Sequence, residues 1–170
     1  MTTLIDEAAL QARVKEVARD IRADAGDDPI LLLGVLKGAF MFMADLMRQI
    51  DGEVTCDFIA VSSYEGTTST GEVRLQKDVD SPLEGRRVII VEDIVDTGLT
   101  LQYLQRVLER RAPKSLRTAC LLSKPSRRKA EVPVDYVGFE IEDKFVVGYG
   151  LDYNERFRNL RYIGVVDGKA

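Results

Sequence analysis

Three carboxylates, Glu92, Asp93 and Asp96, fall within five residues of one another in the stretch Arg-Val-Ile-Ile-Val-Glu-Asp-Ile-Val-Asp-Thr-Gly-Leu-Thr from Arg87 to Thr100. The apolar run Val88 to Val91 ahead of them has the character of a strand buried on both faces of a parallel sheet. Gly98 permits a tight turn, and Leu99, Leu101, Leu104 and Leu108 then begin an amphipathic helix. A strand that passes through a glycine turn into a helix presents unpaired backbone N–H groups where the helix dipole favours an anion, so this loop can cradle a phosphate. The Thr97 and Thr100 hydroxyls add donors. Glu92 and Asp93, at the carboxyl end of the strand, would repel that phosphate unless they face hydroxyls or a metal. A sugar phosphate accompanied by a divalent cation meets both demands. The plainer use of the same residues is helix capping by Asp96 or Thr97, which stabilises a helix by ~1 kcal/mol, although three carboxylates exceed what one cap requires.

Such a loop works only if a sheet holds it. Ile30 to Val35, Val54 to Val61, Val88 to Val91 and Arg117 to Leu122 read as strands, and a mostly apolar helix from Gly38 to Ile50 and the helix after Gly98 alternate with them. That order gives an α/β fold, a parallel sheet with helices on both faces. Leu10, Val14, Val17, Ala18 and Ile21 recur at helical spacing near the N-terminus, with Gly26 where that helix should stop. Val73 to Gln76, Val134 to Ile141, Phe145 to Val147 and Tyr162 to Val166 are further strand candidates, and Asn154 to Leu160 reads as a short helical link. With no repeat or low-complexity linker, the chain reads as a single domain over residues 1–170. Ligands of open α/β sheets bind at the carboxyl ends of strands, which singles out Lys124 from the basic run behind it. Arg127, Arg128 and Lys129 read as a solvated charged loop.

Composition narrows the chemistry. Hydrophobic residues at 45% and charged residues at 31% place the chain among folded globular proteins, and a formal net charge of −4 argues against a general nucleic-acid binder. No apolar run approaches the ~20 residues that span a bilayer, and the N-terminus has no signal-peptide pattern, so a cytoplasmic protein is expected. Cys56 and Cys120 both lie in apolar, strand-like stretches and are expected to be buried free thiols in a reducing compartment. Histidine is absent, which excludes imidazole-based triads and histidine zinc sites. Carboxylates, lysines and tyrosines remain as acid–base groups. There is no P-loop string, and Gly148-Tyr149-Gly150 lacks the third glycine of a dinucleotide fingerprint.

The segment Val88 to Thr100 resembles the phosphoribosyl pyrophosphate (PRPP) motif of the type I phosphoribosyltransferases, in the form carried by their hypoxanthine-guanine branch. Leu36-Lys37-Gly38-Ala39 is similar to that family's pyrophosphate loop, and Ser63-Tyr64 with Gly66 to Gly71 to its lid. Leu122-Ser123-Lys124 and Asp143 to Glu155 resemble its purine-binding and second metal-side segments. The resemblance implies the family's fold, a central mostly parallel sheet flanked by helices with a small hood over the active site. It implies transfer of the phosphoribosyl group of PRPP to hypoxanthine or guanine, with Mg2+ as cofactor and a homodimer or homotetramer as assembly.

Residue roles follow from the resemblance in the same way. Glu92, Asp93, Ile94, Val95, Asp96, Thr97, Gly98, Leu99 and Thr100 would bind PRPP, with Asp96 as the general base. Leu36, Lys37, Gly38 and Arg158 would hold the pyrophosphate, while Lys124, Phe145, Val146 and Asp152 would bind the purine. Phe145 has the alternative of an ordinary core phenylalanine. Glu92, Asp93 and Asp152 are the metal-side carboxylates, and Ser63 and Tyr64 belong to the lid. Phe40, Phe42 and Met43 offer either a subunit contact or core packing. Two other readings stay open, a relative specific for xanthine and a PRPP-binding RNA-associated regulator, for which Arg127 to Lys129 is the only basic hint.

Overall fold

A computed structural model describes residues 1–64 and 72–169. In chain order the elements are β1 (Thr2–Ile5), α1 (Glu7–Ala25), β2 (Ile30–Leu36), α2 (Phe40–Gln49), β3 (Val54–Tyr64), β4 (Glu72–Lys77), β5 (Arg87–Val95), α3 (Leu99–Glu109), β6 (Ser115–Ser123), β7 (Tyr136–Glu140), β8 (Val146–Val147) and β9 (Ile163–Val165). Six strands form the main sheet in the order β4-β3-β2-β5-β6-β7, and β1, β9 and β8 form a second, smaller one. Within the main sheet only β4 runs antiparallel to its neighbour. The small sheet is antiparallel throughout.

Alternation along the central strands divides the core in two. Ile30 and Leu32 of β2, with Ile89 and Val91 of β5, pack toward Leu10, Val14, Phe42 and Leu46 of α1 and α2. Leu31 and Leu33, with Val88 and Ile90, pack toward Leu101, Leu104 and Leu108 of α3. This is why the strands read as unbroken apolar runs: each residue is buried, whichever face it points to. Burying each such large side chain contributes ~1.5–3 kcal/mol. Helix α1 begins at Asp6, whose carboxylate accepts the Ala9 N–H at 2.8 Å, and stops at Gly26 with φ 61°. Its Arg13 donates to the carbonyls of Gly138 at 2.9 Å and Val137 at 2.7 Å, covering the outer edge of β7.

Several expectations need correction. β5 extends through Val95, so Glu92 and Asp93 lie inside the strand and not beyond it. Residues 154–160 form no helix, because Asn154, Glu155 and Phe157 take φ of 52°, 60° and 79°, in the left-handed region that breaks helical propagation. Cys120 is buried, and burial pushes its thiol up to about 12. Cys56 is exposed instead, since β3 lies toward the edge of the sheet with only β4 outside it. Phe42 and Met43 are core residues, which leaves Phe40 as the exposed aromatic of α2. No helix among the described residues is long and apolar enough to cross a membrane.

Candidate active site

The chain leaves β2 toward β3 on one side and continues from β5 to β6 and β7 on the other, so the direction of strand order reverses between β2 and β5. Loops at the carboxyl ends of two such strands diverge and open a crevice between them. After β2 comes Lys37-Gly38, and after β5 comes Asp96-Thr97-Gly98. Gly98 has φ 82°, and no side chain caps α3. The Leu99 N–H meets only the Thr97 hydroxyl, at 3.4 Å. Asp96 therefore does not cap the helix, and Thr97 offers it only this one long contact. The N-terminal amides of α3 stay available for an anion.

The β2 loop is pressed hard against this strand. The Leu36-Lys37 peptide is cis, and a Cβ on Gly38 would overlap the Asp93 carboxylate. Gly150 in turn, at φ 99°, has its Cα so close to the Gly38 carbonyl that no side chain fits. Glycine at both positions lets three segments, Lys37-Gly38, Asp93 and Gly150 to Asp152, meet at one point. The hood is anchored from behind by Tyr149, whose hydroxyl donates to Asp45 of α2. Asp45 also accepts from Gln11 of α1 at 3.1 Å and from Arg48 at 2.5 Å. Burial, and then the neighbouring Asp45 carboxylate, push the Tyr149 hydroxyl well above its ordinary pKa, so it stays a donor.

Two lobes result. One, of about 300 Å³, is lined by Leu36, Lys37 and Gly38, by Glu92 to Gly98, and by Thr100, Asp152 and Arg158. The other, of about 430 Å³, is lined by Lys124, Arg127, Asp143, Phe145, Val146 and Leu151. Asp93, Ile94, Asp96 and Asp152 line both. The first lobe has the donors for phosphates, since Arg158 and Lys37 flank it and Arg158 Nε is buried without a partner among the described residues. These two cations share Glu155, Lys37 Nζ at 3.2 Å and Arg158 Nη2 at 3.1 Å. The second lobe is lined by Phe145 and by two cations, Lys124 and Arg127. Lys124 is buried, and its ammonium stands 3.4 Å from Asp143 Oδ1, with Arg127 3.3 Å from the other oxygen. Phe145 belongs to neither core cluster and meets Tyr153 edge-on at 5.5 Å, so the plain core reading of Phe145 does not hold.

Charge at the shared wall is crowded. Burial first, and then the adjacent Asp93 carboxylate, raise the pKa of Glu92 well above the ordinary value, and burial raises that of Asp93. Asp93 Oδ1 also accepts the Ile94 N–H at 2.7 Å, and Asp96 Oδ1 accepts the Thr97 N–H at 2.5 Å. Among the described residues no three carboxylates close into a ready metal cage. Hard carboxylate oxygens of Asp93 and Asp152 on the shared wall nonetheless suit magnesium, which is held by one or two carboxylates and takes its other oxygens from substrate and water.

Of the residues singled out in the sequence, Leu99 alone among those fully described does not line the cleft; its side chain is exposed. The side chains of Ser63 and Tyr64 and all of residues 65–71 lie outside the described residues. The sequence reading placed Asp143 in the purine-side segment without a role of its own, and misjudged Arg128 in the basic run. Arg127 pairs with Asp143 in the second lobe. Arg128 is half-buried and donates to the carbonyls of Val95 and Asp96, at 2.8 Å each, so it is not a solvated charge, whereas Arg127 and Lys129 are exposed as the sequence led one to expect. The available signal for Arg128 was its position just past the carboxyl end of β6.

Comparison with known proteins agrees with this geometry. A family model described as the phosphoribosyl transferase domain matches residues 2–154. The hypoxanthine-guanine phosphoribosyltransferase of Bacillus subtilis is 52% identical over 164 residues, 96% of this chain and 91% of that protein. The hypoxanthine phosphoribosyltransferase of Haemophilus influenzae is 49% identical over 167 residues, covering 96% of this chain and 93% of its own. A crystal structure of a hypoxanthine-guanine phosphoribosyltransferase from Bacillus anthracis has a TM-score of 0.94 at 48% identity, covering 98% of each chain.

Proposed function

The chain belongs to the phosphoribosyltransferase family, in its hypoxanthine-guanine branch, and on that premise we propose that its two lobes bind PRPP and a 6-oxopurine side by side for direct transfer. The observation that carries the proposal is the wall of Asp93, Ile94, Asp96 and Asp152 common to both lobes, which leaves the two substrates adjacent with carboxylates between them.

The reaction breaks the bond between the anomeric carbon and pyrophosphate through an oxocarbenium-like state, so the protein's work is orientation and charge placement. Backbone amides at the start of α3, with the Thr97 and Thr100 hydroxyls, hold the 5′-phosphate. Glu92 and Asp93 meet the ribose hydroxyls. Lys37, Gly38 and Arg158 receive the pyrophosphate, the two cations leaving Glu155 to do so. In the second lobe Phe145 packs on the purine ring and Lys124 donates to O6. An adenine amino group would set a donor against that donor, which favours 6-oxopurines. The backbones of Val146 and Asp152 read the remaining edge. Asp96 takes the proton from N7 as the new bond forms. Asp93, Glu92 and Asp152 are the residues that would hold magnesium, which would supply charge neutralisation for the pyrophosphate leaving group.

The activity belongs to a single cytoplasmic domain, and free Cys56 and Cys120 suit a reducing compartment. Of the residues offered for a subunit contact, exposed Phe40 is the one available to a dimer or tetramer. Arg127 pairs with Asp143 and Arg128 with the loop carbonyls, so two of the three cations an RNA-binding reading would draw on already have partners. A coupled spectrophotometric assay with PRPP, magnesium and each of hypoxanthine, guanine, xanthine, adenine and uracil tests the proposal. Turnover of hypoxanthine or guanine, with none of adenine or uracil, is expected. Selective turnover of xanthine or a pyrimidine, or no turnover of any base, would overturn it.

A further inference from the structure

Three consecutive carbonyls, from the last residue of β5 into the loop after it, are held from outside the cleft by one short segment. Arg128 Nη1 donates to Val95 O and Asp96 O at 2.8 Å each, and its Nη2 donates to Ser123 Oγ at 2.8 Å. The Lys124 N–H donates to Val95 O at 2.9 Å, and the N–H groups of Lys129 and Ala130 donate to Thr97 O at 2.9 and 3.1 Å. A planar trans peptide carries its N–H opposite its C=O. Fixing the carbonyls of Val95, Asp96 and Thr97 on the outer side therefore turns the N–H groups of Asp96, Thr97 and Gly98 the other way, toward the lobe those residues line. One of these, the Thr97 N–H, holds the Asp96 carboxylate at 2.5 Å.

We propose that Arg128 is a positioning residue for phosphoribosyl transfer: its guanidinium clamps the Val95 and Asp96 carbonyls, which aims the phosphate-binding amides into the cleft and fixes the carboxylate of Asp96. The inference rests on the functional reading above. A guanidinium suits the task because its rigid fork reaches two carbonyls and a hydroxyl together, and its charge lies behind the loop that receives a phosphate. A lysine could supply the charge but only one donor atom. The clamp begins beside Lys124, so the segment that presents the purine-side cation also sets the phosphate loop.

Arg128→Ala and Arg128→Lys, each made in the full chain, test this in steady-state assays with PRPP, magnesium and hypoxanthine. In Arg128→Ala the KM for PRPP should rise ~10-fold or more, the scale of a lost charge-assisted hydrogen bond, with a fall in kcat. The KM for hypoxanthine should change little, and added guanidinium ion should restore the PRPP KM. Arg128→Lys should show the same split more weakly. An unchanged PRPP KM in folded Arg128→Ala overturns the inference. So does an equal loss toward both substrates that guanidinium does not relieve, because that is general structural damage. Should Arg128→Ala fail to fold, Arg128→Lys decides alone, and wild-type values there overturn the clamp. A wild-type protein inactive in the same assay would overturn the functional reading itself.

Discussion

Glu92 and Lys124 are charged residues in unfavourable places, and both tolerate burial for reasons the site supplies. Glu92 is buried beside Asp93 in a strand, so its carboxyl holds a proton to a higher pH in the folded than in the unfolded chain. The linkage sign follows: the native state binds the extra proton, and stability falls as pH rises from the ordinary glutamate value toward the raised one. Glu92→Gln should therefore unfold in urea at a higher midpoint than wild type, by a margin that is wider at pH 8 than at pH 5, while binding of PRPP with magnesium weakens. An equal margin at both pH values would contradict the burial argument. Lys124 carries the opposite case, a buried ammonium matched by Asp143. Lys124→Ala should impair hypoxanthine and guanine use by at least ~10-fold in kcat/KM while PRPP affinity stays near wild type, since a site built to donate discriminates through that donor. Unchanged base preference would remove Lys124 from the purine lobe. Lys124 and the three carboxylates were legible because each stands next to a strand end in sequence. Asp143, Arg127 and Arg128 were not, because their roles depend on partners 16 to 33 residues away.

Elements were legible wherever burial imposes a period. α1, β2, β5, α3 and β6 all form where their apolar patterns placed them, with bounds shifted by a few residues. The 154–160 segment misled because its composition is helix-tolerant, while three left-handed residues, set by tertiary contacts with the hood, decide its path. β1 escaped notice because Thr2–Ile5 shows no alternation of burial and is a strand only by pairing with β9. Another feature with no local signal is Asp57 of β3, a buried carboxylate that accepts the N–H groups of Phe58 at 2.7 Å, Asp80 at 3.0 Å and Ser81 at 3.1 Å. It ties the connection that leads into β5 to the sheet. Burial works to raise its pKa, but the three backbone donors prevail and lower it. Asp57→Ala should cost ~1–3 kcal/mol at neutral pH by leaving buried donors unpaired, measured by urea unfolding. Because the folded pKa is depressed, that contribution is complete above the unfolded value of about 4 and is lost as pH falls through the folded one. A wild-type advantage that persists undiminished on strong acidification would argue against the ionised carboxylate as its source.

At the scale of the whole molecule, the reversal of strand order between β2 and β5 opens the cleft, and the hood of β1, β8 and β9 brings Asp152 and Arg158 to it. The chain has no histidine, and the proposed mechanism gives the acid–base role to a carboxylate. Rigorous chelation of divalent cations should abolish turnover and magnesium should restore it. Full activity in the chelated protein would refute the pairing of Glu92 and Asp93 with a cation. We propose that the two lobes meet at a reacting centre served by Asp96. The most direct test of this is the turnover of Asp96→Asn with PRPP and hypoxanthine, measured beside melting temperature and PRPP affinity. Asparagine keeps the size of the side chain and its acceptor for the Thr97 N–H but cannot take a proton at neutral pH. Turnover should fall by on the order of 10²–10⁴ with melting temperature and PRPP affinity near wild type. Wild-type turnover in Asp96→Asn would contradict the account, even if the protein transfers phosphoribosyl groups.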